Sequence, residues 1–155
     1  MPTKQLLIIG HVPSPNTQRL RDAVEEGASG PDVEGVTVRA LTPFETHPDD
    51  VLAAQAIILG TTENLGYMSG ALKDFFDRCY YPCLEQTEGL PFAAYIRAGM
   101  DGTGTKRAIQ SITTGLRWRP VQEPLICRGD WQESFVDDCR DLGAAMAAGL
   151  DMGIF

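Results

Sequence analysis

The sequence predicts a doubly wound α/β domain, in which helices cover both faces of a parallel sheet. Two short apolar runs, residues 6–9 and 56–59, are continuous rather than alternating, and a glycine follows each. Continuous runs of this length are typical of strands that are buried on both faces. Strand-like and helix-like segments then alternate along the 155 residues, which is the pattern of successive β-α units.

The first β-α unit is predicted as a strand at residues 4–9 and a helix that Asn16 or Thr17 caps. Arg21 and the acidic residues beside it are expected to face solvent. The residues expected to face the sheet recur at steps of three or four: Leu20, Ala23, Val24 and Ala28.

Four further units follow. Their strands are predicted at residues 36–41, 56–60, 91–96 and 121–127, and their helices at residues 49–55 or 50–55, 69–82, 108–116 and 135–150. Ser69 is expected to cap the third helix and Pro82 to end it.

The order of the strands follows from their side chains. Strand 2 partly alternates, and strand 5 contains Pro124, which has no N–H to donate, so both are predicted at the edges. The prediction is therefore a three-layer sandwich around a five-stranded parallel sheet in the order 2-1-3-4-5. Ligands of such sheets bind beyond the carboxyl ends of strands 1 and 3, which directs attention to residues 10–17, 60–69 and 97–105.

Composition indicates one globular domain over residues 1–155, with 43% apolar and 22% charged residues. The formal net charge of −8 repels polyanions, so we expect no nucleic-acid partner. No apolar run approaches the roughly 20 residues of a membrane span, and no secretory signal is recognisable. We therefore expect no membrane partner and a cytoplasmic location.

Familiar catalytic and metal-binding motifs are missing from the sequence. The four cysteines form no C-x-x-C pair and only two histidines are present, so we expect buried, reduced thiols and no metal site. Residues 99–106 have the glycine spacing of a P-loop, but Thr105 and Lys106 stand in the wrong order. Residues 66–70 contain one residue too many for a nucleophile elbow. No catalytic side chain is predicted.

The first loop has the composition of a phosphate site. Ser14, Asn16 and Thr17 offer hydroxyl and amide groups at the start of a helix, where unpaired N–H groups and the helix dipole favour an anion. The alternative is that Asn16 and Thr17 only cap the helix.

Three segments then resemble one known family. Residues 11–17, HVPSPNT, resemble a phosphate loop of the type S-x-R-x-x-x-N-T, with His11 where serine is usual. Residues 58–78, ILGTTENLGYMSGALKDFFDR, are similar to the pattern G-[ST]-P-x-Y-x-[GN]-x-[MP]-S-[AG]-x-L-K-x-F-[IL]-D-R, with Thr62 where proline is common. Residues 98–104, AGMDGTG, resemble the third loop of the same family. The chain thus resembles the flavodoxin-like superfamily, on the side of the NAD(P)H-dependent FMN reductases and related quinone reductases.

The resemblance implies an FMN site with three parts. The phosphate loop implies contacts from His11, Ser14, Asn16 and Thr17. The resemblance implies that the second loop lines the isoalloxazine with Thr61, Thr62, Glu63, Asn64, Leu65 and Gly66. It also implies that the backbone of the third loop approaches the pyrimidine edge of the flavin at Ala98, Gly99, Met100, Asp101 and Gly102. Glu63 either points towards the flavin, where it would lower its reduction potential, or faces solvent.

The implied function is transfer of electrons from NAD(P)H through FMN to a quinone or flavin acceptor. The resemblance also implies a homodimer or higher homo-oligomer that pairs at the flavin site. Five cationic residues could receive a dinucleotide phosphate or could form a solvated helix face: Arg97, Lys106, Arg107, Arg117 and Arg119. Two alternatives remain, an electron carrier that binds FMN without its own turnover and an interaction domain without flavin.

Overall fold

A computed structural model describes residues 3–155 as one twisted sheet with helices on both faces. The elements in chain order are β1 (Lys4–Gly10), α1 (Pro15–Ala28), β2 (Val36–Leu41), α2 (Pro48–Leu52), β3 (Ala56–Asn64), β4 (Tyr67–Met68), α3 (Gly70–Cys83), β5 (Pro91–Ala98), α4 (Thr103–Leu116), β6 (Arg119–Pro120), β7 (Leu125–Arg128) and α5 (Ser134–Asp151).

The order of the main strands is confirmed, but the predicted count of five strands is wrong. The sheet has seven strands and runs β2-β1-β3-β5, after which β6 and β7 both pair with β5. All neighbours are parallel except β4, which folds back antiparallel on the end of β3. This hairpin turns at Leu65 and Gly66, which both have positive φ, 54° and 74°, as a two-residue hairpin turn requires.

The predicted fifth strand is split in two. Phe92 pairs with Pro120 and Tyr95 pairs with Leu125, so β5 advances three residues while the edge segment advances five. The two extra residues leave the sheet between β6 and β7, and Pro124 lies in this excursion rather than inside a strand. The edge position predicted for this segment is correct.

Some helices begin or end at other residues than the spacing of their apolar residues predicts, because capping residues set the boundary. Ser14, rather than Asn16 or Thr17, caps α1, because Pro15 takes the first helical position. Helix α2 is shorter than predicted and α4 begins earlier, at Thr103. Ser69 caps α3 as predicted, and Pro82 lies in its last turn.

Side chains of successive strand residues point to opposite faces and build two cores. One face packs beneath α2, α3 and α4 around Phe75 and Phe76, and the other beneath α1 and α5 around Leu20 and Met146. All four cysteines are buried free thiols. No helix within residues 3–155 is long and apolar enough to cross a bilayer. In the same part of the chain no three His, Cys, Asp or Glu side chains cluster as metal ligands.

The side chain of Tyr95 lies across the sheet on the α1 and α5 face. Gly60 is the register partner of both Gly10 and Tyr95, and a Cβ at Gly60 would overlap the tyrosine ring. A Cβ at Gly10 would lie 2.6 Å from the tyrosine oxygen. The two glycines therefore leave the space that the ring fills.

We predict that Gly60→Ala destabilises the protein by about 1–3 kcal/mol, because the added methyl overpacks a closed core. Denaturant unfolding measures the change. Gly70→Ala is the matched control, since nothing lies within 4 Å of its added Cβ at the start of α3, and it should be neutral or slightly stabilising. Equal stability of the Gly60 variant and the parent would contradict the packing described.

Candidate functional site

Three of the predicted loops meet at one edge of the sheet. β1, β3 and β5 are adjacent and parallel, and Gly10 pairs with Gly60 while Thr62 pairs with Arg97. Because their carboxyl ends lie together, the structure brings residues 11–14, 61–66 and 98–102 to the same edge. The predicted site residues are therefore neighbours, although their roles towards a ligand stay predictions.

The first loop is held by a capping box. Thr17 N–H donates to Ser14 Oγ at 3.2 Å, and Ser14 N–H donates to Thr17 Oγ1 at 3.0 Å. The Thr17 hydroxyl donates back to the Ser14 carbonyl oxygen at 2.9 Å. Thr17 is buried, so its polar atoms are satisfied inside the loop, whereas Ser14 keeps a hydroxyl proton that can point to Thr17 or outward.

Free donors remain at the start of α1. Pro13 and Pro15 have no N–H, and the N–H groups of Val12 and Asn16 donate to no acceptor within residues 3–155. The side chain of Asn16 is exposed. This donor set, at the positive end of a 14-residue helix, suits a phosphate.

His11 adds no charge to this loop at neutral pH. Its backbone N–H donates to the Gly60 carbonyl oxygen at 3.0 Å, which ties the loop to β3. Partial burial lowers the pKa of the imidazole below its usual value near 6.5. The neutral ring can still donate one N–H.

The second loop is a rigid hairpin rather than an irregular segment. Thr61 is buried, and its hydroxyl oxygen accepts the Ser69 N–H and lies 3.0 Å from the Ser69 hydroxyl. Thr62 donates to the side chain of Asn64 at 2.8 Å. Leu65 stands fully exposed at the tip, so an apolar side chain faces outward where the site opens.

The third loop is bonded to the second through Glu63. The Glu63 carboxylate accepts the Met100 N–H at 3.1 Å, so this side chain is tied to the third loop. Asp101 accepts the Thr103 N–H at the start of α4, and hydrogen bonding from Thr103 holds the pKa of this carboxyl below its usual value. The backbone bends at Gly102, where φ is 72°.

Two further contacts lock the hairpin to α4. Thr105 donates to the Tyr67 carbonyl oxygen at 2.9 Å, and Gly104 lies so close to the Gly66 carbonyl that a Cβ there would overlap it. The second and third loops therefore form one preorganised unit.

Exposed apolar side chains surround this edge. Leu65 and Met100 were predicted as site residues. Phe44, which is 64% exposed, and Tyr67, which is 40% exposed and lies within the predicted loop 60–69, were not. Phe44 follows β2, whose carboxyl end lies at the same edge because the strand is parallel to β1. An aromatic residue in a loop after a strand was the only sequence signal for it.

The five cationic residues do not form a cluster. Arg119 pairs in register with Pro91, and Arg117 ends α4, so both lie at the amino end of β5. Lys106 and Arg107 lie near the other end of the helix. The Arg97 guanidinium donates to the carbonyls of Ala98 and Cys127 at 2.9 and 3.0 Å, and lies over the Phe135 ring on the α5 face. Their joint role as a dinucleotide site has no support from this geometry.

Arg21 is the polar residue that sequence reasoning missed, because helical periodicity predicted it in solvent. The structure turns it inward, and its Nε and Nη1 atoms are buried without a hydrogen-bond partner within residues 3–155. The Tyr95 hydroxyl is buried and unpartnered as well, and burial raises its pKa. A group of unsatisfied donors therefore lies at the end of β1.

A cavity of about 690 Å³ lies away from the predicted site residues, between α4 and the edge of the sheet. Its floor is formed by one face of β5 and its wall by the excursion between β6 and β7. Its lining is mixed: apolar side chains come from Phe92, Ala94, Ile96, Ile109 and Trp118, and polar ones from Lys106, Gln110, Thr113, Thr114, Gln122 and Glu123.

Comparison with known proteins returns one curated relative, and no family model matches the chain. The relative is named "Flavodoxin", from Aquifex aeolicus (strain VF5), and is 31% identical over 112 residues, or 72% of this chain. The chain spans about 60% of the length of that relative.

Solved structures resemble the whole chain. A flavodoxin from the domain Archaea superimposes with a TM-score of 0.79 at 18% identity, covering 94% of this chain and 98% of the other. Two-electron reduced Megasphaera elsdenii flavodoxin gives 0.75 at 17% identity, with 92% and 98% covered. A flavodoxin, WrbA-like protein from Agrobacterium tumefaciens gives 0.73 at 19% identity, with 94% and 96% covered.

We predict that Ser14→Ala lowers the free energy of unfolding by about 1 kcal/mol, because α1 loses its cap. Urea unfolding measures the loss. Ser111→Ala is the control, since Ser111 is exposed in the middle of α4 and alanine is the better helix former there. If the two variants are equally stable, the capping box contributes nothing.

Proposed function

Because the chain has the flavodoxin-like fold, we propose that it binds FMN at the carboxyl edge of β1, β3 and β5 and carries electrons between redox partners. The observation that carries the proposal is the free donor set at the start of α1, beside two loops that are already bonded to each other. The name of the Aquifex aeolicus relative and the titles of the similar structures support the same function.

The first loop would hold the phosphate of FMN. The Val12 and Asn16 N–H groups, the Asn16 amide and the outward rotamer of the Ser14 hydroxyl are the donors available. The positive end of the helix dipole adds to their effect. Hydrogen bonds to a charged group contribute about 1.5–3 kcal/mol each, so this loop would provide much of the affinity.

The second and third loops would hold the isoalloxazine. Backbone groups from Ala98 to Gly102 would meet its pyrimidine edge, and residues 62–66 would line the ring. Exposed side chains of Leu65, Tyr67 and Met100 would exclude water from it. FMN itself supplies the redox chemistry when bound, so the chain needs no acid, base or nucleophile.

Glu63 would tune the cofactor. Its carboxylate is fixed by the Met100 N–H, and a negative charge at this edge disfavours the anionic reduced form of a flavin. The reduction potential of the bound FMN is therefore expected to be low.

The charge of the chain supports a carrier. With a net charge of −8, the protein would dock on basic partners, since opposite fields speed encounter. A nicotinamide dinucleotide is itself an anion, and the dispersed positions of Arg97, Arg117 and Arg119 provide no cationic cluster for it.

The second candidate is an NAD(P)H-dependent reductase of a quinone or flavin. The specific observation in its favour is the segment at residues 58–78, which resembles the reductase pattern. The WrbA-like structure from Agrobacterium tumefaciens also has this fold. In this case NAD(P)H would be the co-substrate, and pairing of two copies would complete the site.

We predict that FMN at 1,000 times its Kd stabilises the folded protein by about 4 kcal/mol. Thermal unfolding and quenching of flavin fluorescence measure this binding. A Tm that saturating FMN leaves unchanged, together with purified protein that carries no flavin spectrum, would exclude the proposal.

Asn16→Ala then tests the phosphate loop. The variant should bind FMN about 10-fold more weakly and riboflavin almost unchanged, because riboflavin has no phosphate. Gln18→Ala is the control, since Gln18 lies in the same helix but bonds to Asp22.

We predict that neither NADH nor NADPH at millimolar concentration reduces the FMN-loaded protein within minutes, whereas dithionite reduces it in two separable one-electron steps. Anaerobic visible spectra follow both titrations. Rapid bleaching by either nicotinamide, and reoxidation by an added quinone within turnover, would instead establish the reductase.

A further inference from the structure

Arg21 passes over the end of β1 and beneath the first loop. A Cβ at Gly10 would lie 2.8 Å from Arg21 Cδ and 2.9 Å from Cγ. The aliphatic part of the side chain therefore occupies the space that the glycine leaves open, directly before His11 and the rest of the loop. Side chains of helical residues lean towards the helix N-terminus, which also directs this guanidinium towards the start of α1.

Within residues 3–155 the charge of this guanidinium acts on the Glu45 carboxyl without forming an ion pair with it. Hydrogen bonds from Thr42, and to a smaller extent Arg21, hold the pKa of that carboxyl below its usual value. An arginine side chain is always protonated and only donates hydrogen bonds. Arg21 forms no ion pair with an acidic side chain within residues 3–155, and its Nε and Nη1 atoms are buried without an acceptor. Arg19, in the same helix, contrasts with it, because Glu133 binds its guanidinium through two hydrogen bonds.

The Tyr95 hydroxyl lies against the same glycine. It is buried, 2% of the residue being exposed, and it also has no hydrogen-bond partner among residues 3–155. The neighbouring imidazole of His11 is neutral because burial lowers its pKa. The groups left unsatisfied at this place are thus donors and one positive charge, and an acceptor with negative charge would satisfy them together.

We propose that Arg21, with the Tyr95 hydroxyl beside it, is the counter-charge for a phosphate monoester bound by the first loop. The inference rests on the proposed function, since the monoester in question is the phosphate of FMN. A buried charge without a partner is unfavourable. In the free protein Nε and Nη1 of Arg21 are buried without an acceptor among residues 3–155. A bound phosphate would supply one together with its negative charge, and Arg21 makes the site selective for the phosphorylated flavin.

The test compares Arg21→Met, which fills the place of the aliphatic part of the side chain and removes the charged end, with Arg19→Met, which makes the same change of net charge in the same helix. Kd values for FMN and riboflavin are measured for both variants and for the parent. We expect Arg21→Met to weaken FMN about 10-fold or more, to leave riboflavin within about 2-fold, and to keep or raise the Tm of the free protein. Arg19→Met should leave the ratio of the two Kd values unchanged.

Inorganic phosphate provides a readout that needs no flavin. At constant ionic strength it should raise the Tm of the parent protein more than chloride does, and Arg21→Met should abolish the difference while Arg21→Lys retains part of it.

The inference is wrong if Arg21→Met leaves the ratio of FMN to riboflavin affinity unchanged, or if phosphate and chloride act alike on the parent. Failure of the proposed function looks different, because the parent would then bind neither flavin. In that case phosphate stabilisation of the parent, lost in Arg21→Met, would still support an anion site at Arg21.

Discussion

The ring of Tyr95 lies across the backbone of two neighbouring strands, and the carboxyl edge of the sheet is built around that contact. Gly60 and Gly10 carry no side chain to oppose the ring, so a residue of β5 reaches over β3 to β1. The same opening admits the aliphatic part of Arg21 from α1. Three strands and one helix are thus fixed relative to one another at the point where the first loop leaves the sheet.

The loops at this edge depend on that frame and on each other. Glu63 binds the backbone of the third loop, and Thr105 binds the hairpin of the second. These bonds join protein groups to protein groups, so a flavin would meet loops that already hold each other in place. Binding to preorganised loops costs less than binding to mobile ones.

Much of the fold follows from the sequence because it depends on local signals. Continuous apolar runs identified β1 and β3, and Pro124 correctly indicated an edge. The helix cap was misplaced because Asn16 and Thr17 are as suitable as Ser14 by residue type, and only the chain direction imposed by Pro15 decides among them. The hairpin at Leu65 was missed because a non-glycine residue there takes a positive φ.

For the candidate site, the sequence predicts the positions of the loops but not those of all the side chains. Its loops could be located from topology, since parallel strands present their carboxyl ends together. The position of Arg21 could not be predicted in this way. The spacing of apolar residues along α1 predicts which side of the helix faces the sheet, but it does not show that the strand beneath ends in a glycine, which leaves room for the arginine side chain. The prediction of a cationic cluster was wrong for a related reason. Residues that are close in sequence, such as Lys106 and Arg117, lie at opposite ends of one helix.

The excursion between β6 and β7 is a position at which the chain could accept inserted residues. It leaves the sheet at its edge, beside the part of β5 between Phe92 and Tyr95, and its two extra residues already interrupt the pairing with β5. Lengthening a loop costs little, about 0.6 kcal/mol for each doubling. A longer segment, or a whole inserted domain, could therefore enter at residues 121–124 and reshape the wall of the adjacent cavity without moving the first loop. Evolution and protein engineers thus have, at this position, an insertion point that lies outside the three loops of the candidate site.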